Sequence, residues 1–171
     1  AFMRTPGTSA TQIHGEARRT LVARCERAAA IVAAEPDQTW IVWCNLNDES
    51  EALAKLIPGA VEIVGSESMD RKEEKLRAFS TGETRVLVTK ASIAGHGLNW
   101  QHCCRAVYVG LTYSFEDFYQ ASRRIWRFGQ RSVQDLFLTE TARLADVVLP
   151  ALLVHARLRL ATTMVRADGD R

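Results

Sequence analysis

Five short apolar runs punctuate this chain at near-regular intervals, and they constrain its fold more than anything else in it. They are Trp40–Cys44 (WIVWC), Ala60–Val64 (AVEIV), Arg85–Thr89 (RVLVT), Ala106–Val109 (AVYV) and Val133–Leu138 (VQDLFL). Each is too short for a helix and mainly apolar, and several are rich in β-branched or aromatic residues at neighbouring positions. That is the signature of a strand covered on both faces. Between them lie stretches with helical periodicity. Strands alternating with helices predict an α/β fold with a mainly parallel sheet covered by helices.

The helices have visible punctuation. One is predicted over 15–35, with Leu21, Val22, Cys25, Ala28, Ala29 and Val32 on one stripe, ended by Pro36 and Asp37. Asn47 can cap a helix over 48–57, which Pro58-Gly59 stops, and Ser68 can cap one over 69–80. Ser114 can cap a fourth, with Asp117 completing a capping box. A last amphipathic helix is expected over 141–160, interrupted at Pro150, with a frayed tail from 164. The resulting division is 1–37 as an irregular segment and lead-in helix, 38–163 as the main lobe, and 164–171 as tail. Ligands of parallel sheets bind at the carboxyl ends of the strands, so the loops 45–47, 65–68, 90–104 and 110–114 should share one edge.

Composition excludes more than it assigns. The 171 residues carry a net charge of +2, too small to argue for a polyanion by itself. Any basic surface must come from local clustering. Cys25, Cys44, Cys103 and Cys104 are not spaced as a disulfide framework, which favours a reducing, cytoplasmic setting. No apolar run approaches membrane-spanning length and no signal peptide is visible, so no membrane partner is expected. The opening Ala1-Phe2-Met3 reads as a piece of something longer.

The local clustering is in QASRRIWRFGQ, residues 120–130, which holds no acidic residue. At about 100° per residue, Gln120, Arg124 and Arg127 fall on one side. Phe115, Phe118, Tyr119, Ile125 and Trp126 fall on the other. Two guanidiniums one turn apart behind an amide suit anionic oxygens, phosphate above all. A solvated basic face would show the same residues. The loop from Thr89 to Asn99 carries Gly95 and Gly97, which permit close approach of a ligand to the backbone. It lacks the third glycine of a dinucleotide fingerprint, and a plain turn would look alike. No GxxxxGK[ST] occurs, so the chain has no phosphate-cradling loop of its own.

Taken in order, these stretches resemble the C-terminal RecA-like lobe of a superfamily-two helicase or translocase, of the Swi/Snf-like, bacteriophage-type branch. Trp40–Ser50 resembles motif IV. Gly65 through Arg71 to Phe79 and Gly82 resembles the segment after it. Val86–Gln101, ending GLNWQ, resembles motif V, and Gln120–Gln130 resembles motif VI, roughly QxxxRxxRxGQ. Arg123 stands where the family usually has Gly or Asp, and Trp126 where it often has His. The motif V loop is one residue longer before Gly97 than in remodeller-type enzymes.

The resemblance implies a three-layer αβα RecA-like lobe with about five to six strands. It implies an ATP-dependent DNA helicase or translocase, in which ATP and Mg2+ are bound mainly by an N-terminal lobe in cis that lies outside this chain. Arg124 and Arg127 would then be arginine fingers to the γ-phosphate, oriented by Gln120. Gly97 and Asn99 would couple the nucleotide to the nucleic-acid track. Lys90, Ser92, Asn45 and Ser66 would lie near the nucleic-acid backbone, DNA being expected over RNA. The isolated chain would be inactive. A non-catalytic module that grips nucleic-acid phosphates stands as the alternative, and a regulatory interaction domain as a weaker one.

Other residues point elsewhere. Trp100 could stack on bases, whereas Trp40 and Trp43 suit the core. His96, His102, Cys103 and Cys104 suggest a metal, but adjacent cysteines diverge, so buried thiols and no metal are expected. Asp48, Glu49 and Glu51 suit the dipole of the helix they begin.

Overall fold

The computed structural model describes residues 15, 17–94, 100, 102–110, 115–125, 135–140 and 159–164. Its elements in chain order are α1 (Leu21–Ala34), β1 (Trp40–Cys44), α2 (Asn47–Leu56), β2 (Ala60–Ile63), α3 (Met69–Ser80) and β3 (Val86–Lys90). β4 (Arg105–Tyr108), α4 (Phe115–Ile125), β5 (Asp135–Glu140) and β6 (Arg159–Met164) follow. The strands form one sheet in the order β2-β3-β1-β4-β5-β6, and every pairing is parallel.

Alternation along each strand sorts the core into two layers, because successive side chains point to opposite faces of a sheet. Trp40, Val42, Val86, Val88, Val107 and Val109 pack with Cys25, Ala28 and Val32 of α1 and Leu53 of α2. Ile41, Trp43, Leu87, Ala106 and Tyr108 pack with Phe79 of α3 and Phe118, Ala121 and Ile125 of α4. The molecule is therefore a three-layer αβα sandwich, with α1 built into its core. Val22, expected on the buried stripe of α1, is instead 64% exposed.

Two predicted elements differ. Asn47 does not cap α2. It is the first helical residue, and the carboxylate of Glu49 reaches back to the amides of Asn45 (2.8 Å) and Leu46 (3.0 Å). The end of the predicted last helix is also revised. Residues 159–160 open strand β6, because β5 offers a free edge that a parallel strand can pair. The rest of that helix, 141–158, lies outside the described residues. Ser68 does cap α3, its hydroxyl accepting from the Arg71 amide. Among the described residues no helix is long and apolar enough to cross a membrane.

Candidate functional site

The parallel register brings the predicted loops to one edge. Cys44 lies beside Lys90, Ile63 beside Thr89, and Trp43 beside Tyr108. Four strands thus end nearly level, and the chain leaves them through 45–46, 64–68, 91–94 and 109–110. Asn45, Ser66 and Ser92 are exposed on this edge and Lys90 is half-buried. These four polar residues, scattered over the sequence, line one rim. Gly97 and Asn99 lie outside the described residues, as does Arg127.

The loops are braced from behind. Lys72 Nζ donates to the Gly65 carbonyl at 2.7 Å. Lys75 Nζ donates to the Glu62 carbonyl and pairs with Glu67 Oε1, each at 2.7 Å. After β3 the amides of Ile93 (3.0 Å) and Ala94 (3.2 Å) fold back on the Lys90 carbonyl. Ala94 is buried, so this turn is anchored in the core with Ser92 outward.

Helix α4 lies across the same face of the sheet. Phe118, Ala121, Ser122, Arg124 and Ile125 are buried, while Tyr119, Gln120 and Arg123 are exposed. Ser122 Oγ hydrogen-bonds the Tyr108 hydroxyl at 2.9 Å, which registers the helix against β4. Burial pushes that phenol well above its ordinary range.

This partition corrects two expectations. Tyr119 does not join the apolar face; it lies outward, with the Arg123 guanidinium 5.9 Å above its ring. Arg124 does not share an open face with Gln120. It is 6% exposed, and its guanidinium sits 5.9 Å from the centre of the Trp100 ring. A cation over an indole face keeps favourable electrostatics after losing water, which makes such burial tolerable.

Trp100 is likewise corrected. It is fully buried, its Nε1 donates to Ser80 Oγ at 3.0 Å, and its ring meets Phe79 edge-on at 5.3 Å. Its backbone amide donates to the Arg124 carbonyl at 3.2 Å. No ring face is left for a nucleic-acid base. Trp100 instead joins β3's outgoing loop to the last turn of α4. Trp40 and Trp43 are core residues, as expected.

The thiols are structural. Cys25, Cys44 and Cys103 are buried, and desolvation first among the causes pushes each from an ordinary 9.0 to about 12. Cys103 Sγ faces the carbonyls of Thr39 and Arg105, each at 3.2 Å. His102 packs its ring on Phe79, and partial burial lowers its pKa. Among the described residues no three His, Cys, Asp or Glu side chains converge on a point that could hold a metal.

One charged pair was not anticipated. Arg24 and Glu49, each 1% exposed, form an ion pair at 2.6 Å beneath the ends of β1 and β4. The available signal was position: Arg24 falls within the apolar stripe of α1, between Leu21 and Ala28, where a solvated charge has no place.

The helicase conserved C-terminal domain family matches residues 23–129. That span begins inside α1 and ends within the arginine-rich stretch. No curated protein matches the sequence. Among solved structures, the C-terminal part of the Fun30 ATPase domain superposes with a TM-score of 0.60 at 13% identity. That match covers 82% of this chain and 46% of the other. The RNA-helicase Prp28 from Chaetomium thermophilum, bound to ADP, gives 0.66 at 22% identity over 81% of this chain and 35% of that one. The C-terminal domain of the DEAD-box protein Dbp5 gives 0.67 at 11%, covering 81% and 82%. The chain thus spans less than half of the Fun30 and Prp28 chains and most of the Dbp5 domain.

Proposed function

Because the chain belongs to the helicase conserved C-terminal domain family, we propose that it is the second motor lobe of an ATP-dependent helicase or translocase of superfamily two. The observation that carries this reading is the family match over 23–129, which spans both the strand-end rim and the start of the arginine-rich stretch. In this reading ATP and Mg2+ are held mainly by a first lobe. ATP supplies a phosphoryl group whose departure develops negative charge on the γ-phosphate oxygens.

This chain's part is to place positive charge there. Arg127 is proposed as the finger. Arg124, packed on Trp100, would hold the helix end from which Arg127 extends and present its guanidinium edge to the same phosphate. Gln120, exposed one turn earlier, would orient the cluster. Gly97 and Asn99 would link the nucleotide to the track. Asn45, Ser66, Lys90 and Ser92 would follow the nucleic-acid backbone along the rim. The Swi/Snf-like wording of residues 120–130 favours DNA as the track.

The test is nucleic-acid-stimulated ATPase in the protein that carries both lobes. Arg127→Ala should abolish stimulated turnover and leave binding to a DNA oligonucleotide nearly unchanged. Normal turnover would remove the finger assignment. Stimulation by RNA and not DNA would reverse the choice of track.

A further inference from the structure

The Arg24–Glu49 pair is buried beneath the ends of β1 and β4. It lies under the strand-end rim, and its bonds run to main-chain groups of the segments that meet there. Glu49 Oε2 accepts from the amides of Asn45 at 2.8 Å and Leu46 at 3.0 Å, the loop leaving β1. Arg24 Nη1 donates to the carbonyl of Val109, in the loop leaving β4. Arg24 Nη2 donates to the Ala17 carbonyl at 2.6 Å, and Nε donates to Thr20 Oγ1 at 3.1 Å. One ion pair therefore ties together the approach to α1, the loop bearing Asn45 and the loop that leads towards α4.

Gly110 completes the arrangement. Its φ is +150°, and a Cβ there would lie 3.1 Å from Glu49 Oε1, 3.2 Å from Oε2 and 3.3 Å from Arg24 Nη1. A side chain at Gly110 would therefore crowd the pair by a few tenths of an ångström. Buried ion pairs are weak contributors to stability, since desolvation offsets most of their attraction, and apolar replacements of similar volume are often as stable. What such a pair provides that an apolar contact cannot is directional attachment of backbone groups.

We infer that Arg24 and Glu49 are positioning residues: they hold the loops 45–46 and 109–110 in the mutual register through which the nucleic-acid rim and the arginine helix act together. The inference rests on the motor-lobe reading. It assigns the pair no contact with ATP or nucleic acid.

The test uses the full-length protein, with basal ATPase, ATPase as a function of single-stranded DNA oligonucleotide concentration, and thermal unfolding measured on each variant. The double variant Arg24→Met/Glu49→Leu removes both charges together, so neither is left buried alone, while the main-chain groups of Asn45, Leu46 and Val109 lose their side-chain partners. It should still unfold cooperatively and keep the basal rate. Its half-saturating oligonucleotide concentration should rise, or its stimulated rate fall, by roughly tenfold, short of the roughly hundredfold that a 1 Å misplacement can cost. Wild-type half-saturation and stimulated rate in this variant overturn the inference. So does a fall of basal and stimulated rates by one common factor, which is what loss of folded protein produces.

Should the double variant not fold, Gly110→Ala carries the same test, because its methyl would crowd the pair at a φ that side chains rarely adopt while both charges remain. The same selective loss is expected, and wild-type stimulation would overturn the inference. A wild-type protein with no nucleic-acid-stimulated ATPase would overturn the motor-lobe reading itself, an outcome distinct from a stimulated wild type with unaffected variants.

Discussion

Arg24 and Arg124 have both given up nearly all contact with water. Arg24 meets a carboxylate, two carbonyls and a hydroxyl, so its donors are matched by acceptors. Arg124 lies over an indole. Glu49→Ala leaves the Arg24 charge buried without its counter-ion, and should lower stability by about 3–5 kcal/mol, measured by urea unfolding. Trp100→Ala should cost a similar ~3–5 kcal/mol, because it empties a site bounded by Phe79, Trp43 and Arg124. A Trp100→Ala protein of unchanged stability would mean that the ring is not core.

The cysteines make a further prediction at this scale. At pH 8 Cys25, Cys44 and Cys103 should stay protonated and resist a thiol reagent until the protein unfolds, while the half-buried Cys104 reacts first. Their folded-state pKa values are raised, to about 12, so the stability they confer is fully present below about 9.0 and is lost as pH rises towards 12. An alkaline unfolding midpoint that shifts upward when Cys103 is replaced by Ala in a folded variant would show this linkage. Rapid labelling of all four thiols in the native state would refute it.

Among the elements, α3 and α4 illustrate how local signals and tertiary contacts divide the work. The N-terminus of α3 was legible because Ser68 precedes it with its hydroxyl within reach of the third amide, an interaction that needs only neighbouring residues. Ser68→Ala should destabilise by about 0.5–1 kcal/mol in the same urea assay. Gly82, just beyond its C-terminus, adopts φ +82° with open space around it. Gly82→Ala should therefore cost about 1–2 kcal/mol through backbone strain alone. The faces of α4 were only partly legible. Helical periodicity placed Phe118 and Ile125 inward correctly, but it assigned Tyr119 and Arg124 by residue character. Which side of a helix an arginine takes depends on whether an aromatic ring from elsewhere in the chain waits there. Trp100 does, from 24 residues upstream.

For the whole molecule, the prediction is division of labour between lobes. The isolated chain should bind no more than weakly to ATP and hydrolyse none, checked by phosphate release. Robust hydrolysis would mean that a complete site resides within it. Strand content, the parallel sheet and the shared loop edge followed from the sequence because period and run length report burial locally, and parallel strands must all point one way. Asn45, Ser66, Lys90 and Ser92 are named from the family resemblance; that they share one edge follows from the parallel strands that precede them. The partners of side chains did not follow. Arg24 stands in the apolar stripe of α1, which marks its burial but not its partner, and Glu49 looks like a dipole-matched carboxylate. Only folding brings α1 across the ends of β1 and β4, where the desolvated carboxylate and guanidinium must find each other. Trp100 carried no mark of burial, because an indole in a loop is compatible with either water or core until the neighbouring helices close over it. Sequence alone determined the order of elements and the edge at which chemistry is placed, since both depend on local periodicity. Tertiary structure decided which charges are buried together, because that depends on contacts between residues far apart in the chain.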